Sequence, residues 1–166
     1  RRVLHVVGPP QSSECKRLHG DGPVVGASRA TVGAMDDRTA LAHRAIALID
    51  LTDLDDAHRP DGIDDLCARA AAHGTAAVCV WPEFVGRCAE ALTGSGVRIA
   101  TVVNFPTGDE PPGDVVAQTA DALGAGADEI DVVIPWRSVI GGDVRRAIDL
   151  LDATRRAAAD ATLKVI

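Results

Sequence analysis

The chain has little lysine and few aromatic residues. Only two of its 17 basic residues are lysines, Lys16 and Lys164, and its 166 residues include two Trp, two Phe and no Tyr. Its core must therefore be filled by Ala, Val, Ile and Leu, a composition typical of helices packed on a parallel sheet. Arginine stays protonated near any working pH, whereas a desolvated lysine can act as a nucleophile. Lys164, in an apolar stretch of the sequence, is therefore a candidate for imine chemistry.

Positive charge and long apolar runs are also scarce. The formal net charge is −7 at pH 7, which argues against nucleic acid or an anionic membrane as a partner. No apolar stretch approaches the roughly 18 residues that a membrane-spanning helix needs. The negative net charge does not exclude a small anionic substrate, because a few backbone amides at one place are enough to bind a phosphate. The composition predicts one soluble, acidic, globular domain.

The cysteines show no metal-binding or disulfide pattern. None of the four forms a C-x-x-C pair, and the five histidines form no ligand pair. We therefore predict reduced thiols in a cytoplasmic protein, with no metal and no cofactor. Cys79 lies in an apolar predicted strand, where a cysteine is more often a small core residue than a nucleophile.

The chain divides into two parts by composition. Residues 1–36 are rich in Gly, Pro and Ser, and predict an irregular extension outside the core fold, with a short strand at 3–7 left open. From residue 37 onward, helices and strands are predicted to alternate. The predicted strands are 45–51, whose beginning also fits a helix, 76–80, 97–103, 129–134 and 163–166. The predicted helices are 61–73, 82–93, 113–123 and 143–159. Such alternation with short connections predicts parallel βαβ units.

The spacing of the strands favours a barrel. They recur about every 29 residues, and eight such units would approach the roughly 250 residues of a (β/α)₈ TIM barrel. We therefore predict that residues 37–166 form a partial barrel of this α/β type, truncated after the fifth strand. No predicted helix follows that strand, so Leu163 and Val165 on its outer face are expected to lack cover. An open doubly wound sheet is the alternative, although that fold would normally carry a terminal helix.

Strand parity places two charged residues on one face. Glu129 and Asp131 share a face of the fourth predicted strand, and Lys164 lies on one face of the fifth. If these strands are neighbours, Asp131 and Lys164 both line the interior, where a carboxylate could relay protons during imine chemistry. The alternatives are a structural ion pair and a lysine that extends to solvent.

Polar residues also follow the first and third predicted strands. Asp50 lies at the end of the first strand, and Asn104 directly follows the third. Barrel enzymes place their sites at such carboxyl ends of strands. Because Asp and Asn also cap helices and begin turns, each position alone is a weak signal.

Five segments in order resemble the deoxyribose-phosphate aldolase family, class I aldolases of (β/α)₈ fold. They are IDLT at 49–52, TAAVCVWP at 75–82, RIATVVNFP at 98–106, GADEIDVV at 126–133 and LKVI at 163–166. One such motif would be weak, but five in the family's order and spacing are specific. The resemblance covers about residues 40–166 and leaves 1–36 unmatched.

The resemblance implies a lyase reaction. It is the reversible cleavage of 2-deoxyribose 5-phosphate to glyceraldehyde 3-phosphate and acetaldehyde through a lysine Schiff base, in deoxyribonucleotide catabolism and carbohydrate degradation. The matching positions make Lys164 the imine-forming lysine and Asp131 the proton relay. Asp50 and Asn104 are expected to bind substrate or support the site. Cys79 is expected near the lysine, dispensable for the chemistry but able to scavenge aldehydes.

Further family features are expected beyond residue 166. They are a second lysine on a sixth strand, which lowers the pKa of the first by like-charge repulsion, and glycine-rich loops that bind the substrate phosphate. Whether this chain is active alone, and whether it forms a homo-oligomer, is left open. The alternatives are another lysine-dependent barrel aldolase, such as a transaldolase-like protein, and a catalytically silent barrel fragment that pairs with another chain to cover its open edges.

Overall fold

A computed structural model describes residues 30–55 and 59–166, so the strand considered at residues 3–7 lies outside the described part. The strands are β1 (Asp50–Asp53), β2 (Ala77–Val80), β3 (Arg98–Val103), β4 (Glu129–Val132) and β5 (Thr162–Val165). The helices are α1 (Ala30–Ile46), α2 (Pro60–His73), α3 (Val85–Ala91, after a 3-10 turn at Pro82–Phe84), α4 (Pro112–Gly124), α5 (Trp136–Ile140) and α6 (Val144–Ala158). Strands and helices thus alternate as the sequence predicts.

Local sequence explains where the helices begin and end. Helix α2 has proline in its first turn, where the missing N–H costs nothing. It stops at Gly74, whose left-handed backbone (φ 66°, ψ 50°) lets its N–H donate to the carbonyl of Ala70. At α6, the side chain of Asp143 accepts a hydrogen bond from the backbone N–H of Arg146, as is typical of an N-cap residue. These signals set the lengths of the connections between strands.

The five strands form one parallel sheet in the order β1-β2-β3-β4-β5. A doubly wound sheet would reverse its strand order at a switch point, and this sheet does not. Right-handed crossovers between successive neighbours place all the connecting helices on one side of the sheet. The topology is therefore that of a barrel wall.

The two faces of the sheet differ in chemistry. The outer face packs on the helices through a large apolar cluster that includes Ile63, Val78, Val80, Ile99, Val103, Ile130, Val132 and Leu150. The inner face has a small apolar cluster (Ala77, Cys79, Ala100 and Val102) beside the charged residues of β1, β4 and β5. The helix-covered face thus supplies most of the apolar burial, and the inner face is left to hold polar groups.

The sheet is strongly curved. In a flat sheet, four strand spacings of about 4.8 Å would separate β1 from β5 by about 19 Å, too far for one lysine and one aspartate to span. Yet Lys164 Nζ on β5 lies 2.6 Å from Asp50 Oδ2 on β1. The inner face is therefore concave, and side chains from both edge strands of the described sheet converge inside it.

Three details differ from the sequence prediction. The segment 45–51, predicted as a strand, begins as the end of α1, and the strand itself starts only at Asp50. Helix α5 was not predicted at all. Leu163 was expected to lack cover, but it packs partly buried against the outer core, while Val165 is 53% exposed.

The predicted boundary at residue 37 falls within α1, which begins at Ala30. The division of the chain into an extension (1–36) and a barrel domain (37–166) stays a prediction. Among the described residues, no helix has the length and apolar character needed to cross a membrane.

Candidate active site

Lys164 is the centre of a charged cluster on the concave face. Its Nζ lies 2.6 Å from Asp50 Oδ2, 3.0 Å from Asp131 Oδ1 and 3.1 Å from Glu129 Oε2. The lysine side chain is 18% exposed, and Glu129 and Asp131 are nearly completely buried. Three carboxylates from two strands therefore surround one amine that keeps only limited contact with solvent.

Strand register explains how these residues meet. Asp131 and Lys164 are directly paired across β4 and β5, and Glu129 lies two residues before Asp131 on the same face. Asp50 reaches the amine only because the sheet is curved. Its Oδ2 accepts a hydrogen bond from Lys164 Nζ. Asp131 Oδ1 lies within ion-pair distance of the same Nζ but makes no hydrogen bond to it. The Lys164 amine is thus hydrogen-bonded to Asp50 on β1 and lies next to the carboxylates of β4.

The carboxylates decide the protonation of the lysine. Burial acts to lower the pKa of Lys164, but the hydrogen bond to Asp50 and the negative charges of Asp131 and Asp50 act more strongly together, so its pKa is raised above the ordinary value. In this arrangement the amine is protonated at neutral pH. Its use as a nucleophile requires that the surrounding negative charge be reduced or that a further cation approach.

For the Asp131 carboxyl, burial outweighs the effect of the neighbouring opposite charge on the pKa. Burial raises its pKa, and the nearby Asp50 and Glu129 add to this, while Lys164 acts to lower it. The net result is a pKa above the ordinary range of an aspartate. A carboxyl whose pKa moves toward neutrality is better suited to accept and return a proton than an ordinary surface aspartate.

Cys79 lies beside the cluster but is not a thiolate. Its Sγ is 3.8 Å from Asp131 Oδ2, and the residue is 4% exposed. Burial, with the negative charge of Asp131, raises the pKa of the Cys79 thiol to about 12. The sequence placed Cys79 near the lysine as a scavenger of aldehydes; a thiol with this pKa is a poor nucleophile at neutral pH.

We expect Cys79 to resist alkylation in the folded chain. With a pKa near 12, its thiolate fraction at neutral pH is about a thousandfold below that of an ordinary cysteine. Iodoacetamide labelling, followed residue by residue by mass spectrometry, should be slower by about that factor than in denaturant. Fast labelling of Cys79 in the folded chain would mean that the thiol is activated and could trap aldehydes.

Asn104 takes a supporting position directly after β3. It is 1% exposed and has a left-handed backbone (φ 58°), which asparagine tolerates better than most residues. Its Nδ2 donates to the carbonyl of Val133 at 2.7 Å, and its Oδ1 accepts from the N–H of Glu110 at 2.9 Å. One end of the side chain therefore ties the segment after β3 to the end of β4, and the other end holds the backbone that leads to α4.

Aromatic side chains lie where β2 and β3 end. Trp81 and Phe105 meet edge to face, with ring centroids 5.3 Å apart, and together with Leu54 pack against the inner apolar cluster. They lie at the carboxyl ends of the strands, the end at which barrel enzymes place their sites. This apolar rim lowers the local dielectric constant beside the charged cluster, so charges there interact more strongly than in water.

Two residues of the cluster were not among the predicted site residues. Glu129 was placed on the same face as Asp131, but no role was assigned to it. Arg98, at the start of β3, has its Nε 2.9 Å from Glu129 Oε1. The available signal was parity: Arg98 shares a strand face with the inward-facing Ala100 and Val102.

The described residues contain no group of three or more His, Cys, Asp and Glu arranged to hold a metal ion. The three carboxylates of the cluster converge on Lys164 instead. The chemistry that the site offers is thus that of an amine and neighbouring acids.

The fold and the site together define a class. A sequentially ordered parallel sheet with an inward lysine held by acidic residues is the wall of a (β/α) barrel with a lysine–carboxylate centre. The sequence profile of the DeoC/LacD family aldolases matches residues 33–166. The chain belongs to this family, and the predicted family resemblance is confirmed.

Individual relatives agree with this assignment. A deoxyribose-phosphate aldolase of Agrobacterium fabrum (strain C58) is 48% identical over 126 residues, which are 73% of this chain and 48% of that protein. A crystal structure from Coccidioides immitis, provisionally assigned as a deoxyribose-phosphate aldolase, is 32% identical with a TM-score of 0.73, covering 74% of this chain and 49% of the other. The chain thus spans about half the length of these relatives.

A more distant neighbour supports the fold alone. The deoxyribose phosphate aldolase of Aeropyrum pernix, described as having a unique tetrameric structure, is 21% identical with a TM-score of 0.65. The match covers 84% of this chain and 59% of that chain. The predicted barrel-type α/β fold is therefore confirmed.

Proposed function

We propose that this chain supplies the imine-forming part of a deoxyribose-phosphate aldolase site. The observation that supports this most strongly is Lys164 Nζ, inward on the barrel wall and 3.0 Å from Asp131 Oδ1. An amine next to an acid of raised pKa is the pair that reversible imine chemistry needs. The substrate is 2-deoxyribose 5-phosphate, a small phosphorylated sugar.

The proposed reaction begins with attack of the neutral Lys164 amine on the aldehyde carbon of the open-chain sugar. Loss of water gives an iminium ion, which withdraws electrons from the bond between C2 and C3. Removal of the proton from the C3 hydroxyl breaks that bond, releases glyceraldehyde 3-phosphate and leaves an enamine on the lysine. Protonation at C2 and hydrolysis then release acetaldehyde and restore the amine.

Asp131 is the proposed proton carrier. It can donate a proton to the departing hydroxyl of the carbinolamine, accept the proton of the C3 hydroxyl as the bond between C2 and C3 breaks, and return that proton to C2 of the enamine, directly or through one water. Asp50 is proposed to hold the amine in place, through its hydrogen bond to Nζ. Cys79 and Asn104 are proposed as supporting residues, since the thiol is protonated and the amide is used by the loop.

A second candidate is a catalytically silent barrel segment. It is favoured by the raised pKa of Lys164, since a protonated amine cannot attack an aldehyde. A further cation near Nζ would reverse this, and the second lysine that the family resemblance places beyond residue 166 is a candidate for that charge. A transaldolase-like activity has no observation of its own in its favour.

The experiment is cleavage of 2-deoxyribose 5-phosphate by this chain, followed through the acetaldehyde released. We expect measurable cleavage whose rate rises with pH, because the neutral form of Lys164 increases as pH approaches its raised pKa. 2-Deoxyribose without phosphate is the matched control substrate. No cleavage at any pH would support the silent segment, and equal cleavage of both sugars would contradict a phosphorylated substrate.

The cellular setting and assembly are part of the same proposal. We place the reaction in cytoplasmic deoxyribonucleotide catabolism and carbohydrate degradation, a setting that agrees with the free, buried thiols of Cys67, Cys79 and Cys88. We propose a homo-oligomer, supported by the exposed apolar side chains of Trp136, Ile140, Val144 and Ile148 on α5 and α6. Nucleic acid and membrane are not proposed as partners.

A further inference from the structure

We propose that Arg98 is a positioning residue of this site, which pairs with the buried Glu129 carboxylate and thereby limits the negative charge that acts on Lys164. The inference deepens the proposed function and rests on it, because it concerns the same amine. It starts from a contact between side chains on two neighbouring strands, β3 and β4.

Glu129 bridges two cations. Its Oε1 lies 2.9 Å from Arg98 Nε, and its Oε2 lies 3.1 Å from Lys164 Nζ. The Glu129 side chain is 2% exposed, whereas the Arg98 side chain is 42% exposed. An ionised carboxylate this deeply buried must be paired, since an unpaired buried charge is strongly unfavourable. Arg98 therefore brings a solvated positive charge to a carboxylate that water scarcely reaches.

Arg98 and the aromatic rim lie at opposite ends of the barrel wall. Arg98 is the first residue of β3, whereas Trp81 directly follows β2 and Phe105 is the second residue after β3. The guanidinium thus approaches the cluster from the amino ends of the strands. It can compensate charge there without occupying the carboxyl-terminal end, where substrates of barrel enzymes bind.

The groups that face the lysine come from every neighbouring strand. Asp50 lies on β1, Cys79 on β2, Glu129 and Asp131 on β4, and Arg98 reaches the cluster from β3 through Glu129. Three carboxylates therefore face two cations, and the thiol is neutral. Removal of Arg98 would leave Glu129 to act on Lys164 alone, which favours the protonated amine.

The test measures the titration of Lys164 without any aldolase chemistry. Fluorodinitrobenzene arylates an amine only in its neutral form, so the arylation rate of Lys164 against pH, read by peptide mass spectrometry, gives its apparent pKa. In Arg98→Met we expect that pKa to rise by about one unit, with about tenfold slower arylation at neutral pH. Arg98→Lys should give the same dependence of the Lys164 arylation rate on pH as the unaltered chain. Glu129→Gln should shift that pH dependence to lower pH.

The controls separate positioning from folding. Arg87→Met removes an arginine that pairs with Asp64 between α2 and α3, away from the cluster, and should leave the profile unchanged. If Arg98→Met unfolds, Lys164 and Lys16 will be arylated at similar rates, and Arg98→Gln, which keeps a hydrogen-bond donor, takes its place. A folded Arg98→Met or Arg98→Gln chain with an unchanged or lowered profile would overturn the proposal.

The arylation test can fail or succeed separately from the test of the proposed function. Arylation needs a free amine but neither an imine nor a substrate. A chain that fails to cleave 2-deoxyribose 5-phosphate can therefore still show the expected shift in Arg98→Met. Conversely, a chain that cleaves the sugar normally while Arg98→Met leaves the Lys164 profile unchanged would refute only the role of Arg98.

Discussion

Replacing Lys164 with arginine is expected to abolish imine formation while the fold is kept. A guanidinium stays protonated near any working pH and cannot attack an aldehyde, but it can still pair with the carboxylates of Asp50, Glu129 and Asp131. Sugar cleavage should fall on the order of 10⁴-fold or more, as in enzymes that lose their nucleophile. The measurement is cleavage rate together with the mass of the borohydride-reduced adduct.

Arginine is the informative substitution because the site is charged. A neutral residue would leave three buried carboxylates without their central cation, and breaking such a buried pair typically costs about 3–5 kcal/mol. Loss of activity could then reflect unfolding. Lys16→Arg is the matched control, since it removes the other lysine of the chain. Adduct formation that survives in Lys164→Arg but not in Lys16→Arg would show that the imine forms elsewhere.

Replacing Asp131 with asparagine is expected to separate two properties of the site. Removing a negative charge 3.0 Å from Nζ should lower the pKa of Lys164, so arylation of the amine at neutral pH should speed up, by about tenfold. Removing the proton carrier should slow proton transfer at C2 of the enamine by about 10²–10⁴-fold. The second rate is measured as solvent deuterium entering acetaldehyde.

The opposite signs of these two effects make the test specific. A variant that is merely misfolded would lose proton exchange and would make Lys164 react like Lys16. Asp64→Asn, which breaks an exposed pair with Arg87 on the helices, should change neither rate. Unchanged deuterium incorporation in Asp131→Asn would assign the proton transfer to another group, and slower arylation would contradict the charge argument.

Sequence predicted most of the fold because the relevant signals are local. Gly74 ends α2 and Asp143 caps α6 at the places that turn and capping chemistry requires. The first strand was the exception, since residues 45 and 46 complete α1 and only the segment from Asp50 pairs with β2. An apolar stretch fits either element, and the neighbouring strand decides between them.

The site was predictable where it follows strand parity. Asp131 and Lys164 lie opposite each other on β4 and β5, as their shared face suggested. The contact between Asp50 and Lys164 was not predictable in this way, because it depends on the curvature of the whole sheet. Parity places Arg98 on the inner face, but its contact with Glu129 also depends on the length of its side chain, which parity does not describe.

The most direct test of the central claim is borohydride trapping of the unaltered chain with acetaldehyde, mapped by peptide mass spectrometry. If Lys164 is the imine-forming residue, reduction will leave an ethyl group on Lys164 in excess over Lys16, and more at higher pH because the pKa of Lys164 is raised. Equal labelling of the two lysines, or none on Lys164 across the pH range, would contradict the account.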